Sequence, residues 1–153
     1  MKKLTFDEAK IKARQFCAKR ERNPGEMIQK IRSWQRTLEE AKDIVSCLKE
    51  EDFINEKRYA SAFVNDKIKF DKWGKLRVSH YLKMVGIDEK YFNQVVDRID
   101  DDEYCSMIRR ELEKKSRQIK HDDKNSFRLA ILRFSSNRGY ESDIVDPLIN
   151  EFF

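Results

Sequence analysis

Three stretches of the chain can be laid over one another, and this internal repetition limits the fold more than any other feature. Ala41, Ile44, Val45 and Leu48 follow an i, i+3, i+4, i+7 pattern that returns in Phe92, Val95, Val96 and Ile99 and again in Val145, Leu148, Ile149 and Phe152. The copies lie about 50 residues apart, a period that belongs to repeat architectures. Gly86-Ile87-Asp88 precedes the second copy and Gly139-Tyr140-Glu141 the third, while Gln35 holds the glycine position ahead of the first. Before each turn comes another helix-period set: Met27, Ile31 and Trp34; Val78, Tyr81, Leu82 and Val85; Phe127, Ala130, Ile131 and Phe134. The pattern predicts an all-α chain of three tandem three-helix repeats, divided at 1–53, 54–99 and 100–153, each burying an apolar face against its neighbours. An elongated monomer is expected.

Charge is distributed with the same period. Of 153 residues, 39% are hydrophobic and 40% charged, so each unit has a thin core and a solvated surface. The net charge of +5 suits a polyanionic partner without identifying one. Residues 67–83 carry six basic residues and one acid, Asp71, and residues 109–138 carry ten basic residues and four acids. Residues 139–153 carry four acids and no Lys or Arg, and residues 37–52 carry six acids against Lys42 and Lys49. A basic middle and an acidic end in each repeat are compatible with a basic stripe along one side, or with ordinary solvated helix faces.

Local signals mark the helix starts. Thr5-x-x-Glu8 and Asn23-x-x-Glu26 are capping boxes, the second with Pro24 at the first helical position, where its missing N–H has no partner to lose. The first helix should bury Phe6, Ala9, Ala13, Phe16 and Cys17. Arg20 and Arg22 stand at the following joint, either to bind an anion or to be solvated. Asn55 is a plausible cap, Asp100-Asp101-Asp102-Glu103 suit a helix N-terminus, and Gly86 and Gly139 suit left-handed caps. Lys67 lies four residues after Phe63, at the edge of an apolar face. Trp73, in Lys72-Trp73-Gly74-Lys75, is either a packing anchor or an exposed platform, and the flanking lysines should point outward. Pro147 implies a short last helix capped by Asp146 or a bend.

Several chemistries find no support. The four glycines, Gly25, Gly74, Gly86 and Gly139, are scattered and form no phosphate loop. His80 and His121 are too distant in sequence to make a local ligand pair, and the four consecutive acids lack the glycine and alternating ligands of a calcium loop. No metal, cofactor or enzymatic activity is expected. Cys17, Cys47 and Cys105 fall on or beside apolar stripes and are expected to be small core residues in a reducing compartment. Met1-Lys2-Lys3 leads straight into an amphipathic helix and no apolar run reaches membrane-span length, so the expected location is cytoplasmic.

The run Asp52-Phe53-Ile54-Asn55-Glu56-Lys57-Arg58-Tyr59-Ala60, followed by Phe63-Val64, Lys67, Trp73-Gly74-Lys75, Val78, Leu82 and Gly86-Ile87, resembles the signature of the RecX family, bacterial regulators of the RecA recombinase. Ala9, Ala13, Arg20, Arg22, Pro24, Met27, Lys30 and Ile31 are similar to that family's opening helices. Arg138-Gly139-Tyr140 and Ile144 resemble its last turn and helix. Asn55 and Glu56 stand where the family commonly has an aspartate, Asn23 where it commonly has serine, and Gln35 where the other two turns have glycine.

The resemblance implies a curved, modular helical protein that binds along the groove of a RecA filament on single-stranded DNA. There it would modulate, and typically inhibit, ATP hydrolysis, strand exchange and co-protease activity in DNA repair, homologous recombination and the SOS response. From local charge, the expected contact residues are Lys67, Lys69, Lys72, Trp73, Lys75, Arg77 and Lys83, with Arg109, Arg110, Lys114, Lys115 and Arg117 in the third repeat. Weak direct DNA binding is compatible with the same residues. The alternative is a general nucleic-acid-binding helical module without a recombinase partner.

Overall fold

The structure, a computed structural model, describes residues 3–120 and 123–152; Met1, Lys2 and His121 lie outside them. The chain is all-α: no strand occurs among the described residues. In order come α1 (Phe6–Lys19), α2 (Pro24–Ser33) and α3 (Leu38–Glu50); α4 (Glu56–Lys69), α5 (Lys75–Met84) and α6 (Glu89–Val96); and α7 (Asp101–Gln118), α8 (Lys124–Arg138) and α9 (Ser142–Ile149).

Helix starts follow local chemistry. Thr5, Asn23 and Thr37 each accept from the backbone of the third helical residue, whose Glu side chain reaches back to the cap. Asn55 accepts from Arg58 N at 2.9 Å and Asp100 from Glu103 N at 3.0 Å. The turns after α2, α5 and α8 share a left-handed residue: Gln35, Gly86 and Gly139 have φ of 64°, 87° and 85°. Gln35 therefore takes the glycine conformation at a cost of about 1 kcal/mol. Asp146 caps nothing. Helix α9 runs through Pro147 with Glu141 at the N-cap, because a proline in the second turn forfeits one donor without ending so short a helix.

Two compact units result, residues 1–62 with 82–92 and residues 63–81 with 93–153, so each helix of the middle triplet contributes to both. In the first, α1, α2 and α3 pack together around Ala9, Ala13, Met27, Ile31, Trp34, Ala41, Ile44 and Leu48. Phe6 and Phe16 lie only half-buried against this core. In the second, α7, α8 and α9 enclose Ile108, Leu112, Phe127, Ile131, Val145 and Ile149. Cys17 is buried and Cys47 half-buried, but Cys105 is exposed: it sits beside the apolar stripe of Tyr104, Met107 and Ile108 rather than on it.

Each unit contains a backbone joint of the same design. In the first, Gly25 N donates to Val85 O at 3.0 Å and Asn23 Nδ2 to the Tyr59 hydroxyl at 3.0 Å. In the second, Gly74 N donates to Arg138 O at 2.7 Å and Lys75 N to the Tyr104 hydroxyl at 2.9 Å. A glycine at the start of one middle helix thus meets the residue before the left-handed glycine that ends the next. The tyrosine in both cases is the fourth residue of the intervening helix. A β-carbon on Gly74 would stand 2.1 Å from Gly139 O, which explains why that joint needs a glycine.

Candidate functional site

The second unit gathers an aromatic cluster roofed by cations. Phe63 and Tyr81 stack with centroids 4.6 Å apart, and Trp73 meets both edge-on at 6.0 and 6.4 Å. The Arg77 guanidinium lies 3.9 Å from the indole centroid and the Lys67 ammonium 4.9 Å from it. Trp73 is half-buried. It is a packing anchor on its aromatic side and a cation-bearing surface on the other, an arrangement worth about 0.5–2 kcal/mol for each cation. Lys67 also pairs with Asp71 at 2.8 Å, so its charge is held at the edge of the apolar face.

The preceding residue is fixed through its backbone. Lys72 has φ of 61°, its carbonyl accepts from the Tyr140 hydroxyl at 2.6 Å and from Arg138 at 3.4 Å, and its ammonium turns back to Lys69 O at 2.7 Å. Arg138 continues to Glu111 at 3.1 Å. Burial opposes ionisation of Glu111, but hydrogen bonds from Arg138 and Lys114 hold its carboxyl below the usual carboxylate range. Burial pushes the Tyr140 hydroxyl up to about 12, with Arg138 opposing. Burial and the Glu141 carboxylate raise Tyr104 further. Both phenols stay protonated and serve as structural donors.

The candidate cations separate into committed and free groups. Lys75 does not point outward: its side chain is 18% exposed, with the ammonium 4.4 Å over the Tyr104 ring and 3.8 Å from Asp101. Arg109 pairs with Glu113 and Glu151, Lys114 with Glu111, and Lys115 lies over Phe134. Lys69, Lys83, Arg110 and Arg117 are exposed and make no ion pair among the described residues. Lys83 belongs to the first unit; the other ten candidate cations, and Trp73, belong to the second. At the first unit's joint, Arg20 pairs with Glu26 at 3.1 Å, while Arg22 donates to Phe16 O at 3.0 Å, so neither was left for an anion.

Lys69, Lys72 and Arg110 come together around a cleft of about 700 Å³ in the second unit, floored by Val64, Ile68, Ile99, Tyr104 and Met107. Arg98 completes this basic rim, and Asp100, Asp102 and Glu103 line part of the same wall. Sequence reasoning missed Arg98, which lies outside both basic runs. It also missed Phe70, which is 70% exposed beside Lys69 and Lys72. Its i+7 spacing from Phe63 matched the apolar stripe, and only the end of α4 at Lys69 leaves it outside the packed face. No cluster of three or more His, Cys, Asp or Glu suited to a metal occurs among the described residues, and no helix there is long and apolar enough to cross a membrane.

A family model described as RecX, second three-helix domain, matches residues 55–95, which include the aromatic cluster. Regulatory protein RecX of Finegoldia magna is 30% identical over 94 residues, covering 61% of this chain and 46% of that protein. Regulatory protein RecX of Clostridioides difficile is 25% identical over 108 residues, 71% of this chain and 51% of its own. The chain thus spans about half the length of these curated relatives. A crystal structure of RecX from Lactobacillus salivarius matches with a TM-score of 0.78 at 22% identity, covering 96% of both chains. A crystal structure of a regulatory protein RecX matches with a TM-score of 0.80 at 15% identity, covering 94% of this chain and 74% of that one. These two structures share the fold.

Proposed function

The chain is a RecX-family protein, and from that premise we propose that it regulates a RecA recombinase by binding along the RecA filament on single-stranded DNA and restraining its ATPase, strand-exchange and co-protease activities. It acts as a regulator rather than a catalyst. The reading is supported above all by the basic rim of Lys69, Lys72, Arg98 and Arg110, side chains that the fold collects from α4, the turn after it, the turn after α6, and α7. Such a rim suits phosphates or an acidic protein surface. We take the three helix triplets as tandem repeats with boundaries at 1–53, 54–99 and 100–153, and the protein as a cytoplasmic monomer. Repeats engaging successive protomers bind through avidity without a deep pocket.

The test is DNA-dependent ATP hydrolysis by the cognate RecA with and without the protein. Hydrolysis should fall as the protein is added. Saturating protein that changes neither hydrolysis nor filament lifetime would rule the proposal out. A second reading, a nucleic-acid module with no recombinase partner, draws on the same free cations. Free single-stranded DNA competing as well as the filament at matched salt would favour it.

A further inference from the structure

Resting on the reading of this face as one that meets DNA, we propose that Phe70 is a stacking platform for an unpaired nucleobase, with Lys69 and the basic rim holding the adjoining phosphates. Every other aromatic residue among those described is buried or half-buried, most of them against another ring or a core side chain; Phe70 alone is exposed. It does not hang on a loose tail. Phe70 N donates to Asp66 O at 2.9 Å, carrying the hydrogen bonding of α4 one residue past Lys69, and Trp73 N donates to Lys67 O at 2.9 Å three residues later. Between them the Lys72 ammonium bonds Lys69 O at 2.7 Å and the Lys72 carbonyl is held by Tyr140, so the segment that presents the ring is tied at both ends.

The surroundings favour a polyanion over an apolar partner. The Lys69 ammonium sits 5.8 Å from the ring centroid, and Lys69 and Lys72, on either side of Phe70 in sequence, lie on the rim that also carries Arg98 and Arg110. Neither arginine makes an ion pair among the described residues. An exposed ring beside cations free to follow a sugar–phosphate backbone is the arrangement that binds single strands without reading their sequence. Duplex bases are stacked on each other and offer no free face, so the preference is for single strands.

The full-length protein is titrated against a short fluorescent oligothymidylate and against an abasic oligomer of equal length and charge. Wild type should prefer the oligothymidylate. Phe70→Ala should weaken that complex by about 5- to 150-fold, one stacked base's worth, and bind the abasic oligomer as wild type does. Phe70→Trp should restore the preference, and thermal melts should show both variants folded. Equal affinity of wild type for the two oligomers, or oligothymidylate binding unchanged by Phe70→Ala, overturns the inference. The same variants are then assayed on recombinase ATP hydrolysis. If Phe70→Ala abolishes the effect on the filament but leaves oligothymidylate binding intact, Phe70 touches the protein partner, which overturns the stacking role and leaves the proposed regulation standing. If wild type leaves the filament unaffected while the stacking signature persists, the regulation fails and the stacking site stands.

Discussion

Trp73 shows how one residue can be both structure and surface. Its edge-on contacts with Phe63 and Tyr81 fill one side, and the Arg77 and Lys67 charges cover the other. Trp73→Ala should therefore lower stability by about 3 kcal/mol, the low end for a large aromatic because the indole is only half-buried. It should also free Lys67 and Arg77 from their platform. Urea denaturation beside filament titration checks both effects, and an unchanged midpoint would mean that the indole is not a packing anchor. The position of Lys67 at the edge of an apolar face followed from its spacing to Phe63, but the roof over Trp73 did not. Arg77 reaches the indole from the first turn of α5, where its side-chain direction depends on a turn whose Lys72 takes a left-handed conformation unusual for lysine. Phe70 escaped for the converse reason: a sequence pattern records which face a residue shares and not whether anything covers that face.

Helix starts and turns were legible because their chemistry is local. Capping boxes at Thr5 and Asn23, Asn55 and Asp100 as caps and left-handed Gly86 and Gly139 all concern partners within a few residues. The joints were not, since Gly74 and Arg138 are separated by the four helices α5 to α8 and meet only through the packing of the second unit. That separation gives a sharp contrast between glycines. A β-carbon on Gly86 would meet Pro24 Cβ at an ordinary 3.5 Å, leaving only the cost of its positive φ, about 1–2 kcal/mol. On Gly74 it would strike the Gly139 carbonyl backbone at 2.1 Å. Gly74→Ala should accordingly destabilise more than Gly86→Ala, by about 3 kcal/mol or beyond, as measured by denaturant midpoints. Equal losses would show that the joint yields easily. The neighbouring Glu111–Arg138 pair adds a pH signature. Because the folded protein lowers the Glu111 pKa, its contribution is complete above the ordinary carboxylate range and is lost as pH falls through the lowered value. Glu111→Gln should cost about 2 kcal/mol near neutral pH, with the gap to wild type closing on acidification. A gap independent of pH would remove the charge from the account.

For the whole molecule, the net charge of +5 says less than how the cations are spent. Lys67, Lys75, Arg109 and Lys114 belong to ion pairs inside the second unit, so each already faces a carboxylate there. Lys69, Arg98 and Arg110 keep their charge for solvent, and all three line the one cleft. Sequence makes this division only in part: Lys67 with Asp71 and Lys114 with Glu111 are neighbours on one helix face or just past its end, whereas Lys75 with Asp101 and Arg109 with Glu151 join residues far apart in the chain. If the rim meets DNA phosphates, binding must release counterions in proportion to those three charges. A variant with Lys69→Ala, Arg98→Ala and Arg110→Ala should bind the filament more weakly and lower the slope of log affinity against log salt by about 2, taking about 0.7 per phosphate contact on a single strand. A matched triple change at Lys67, Arg109 and Lys114 should alter stability more than slope, since each of those ammonium or guanidinium groups already faces a carboxylate of the same unit. Titrations at several salt concentrations, with melts in parallel, separate the two sets. Equal slopes for both variants would mean that committed and free cations meet the partner alike, and the rim would lose its claim to the phosphates.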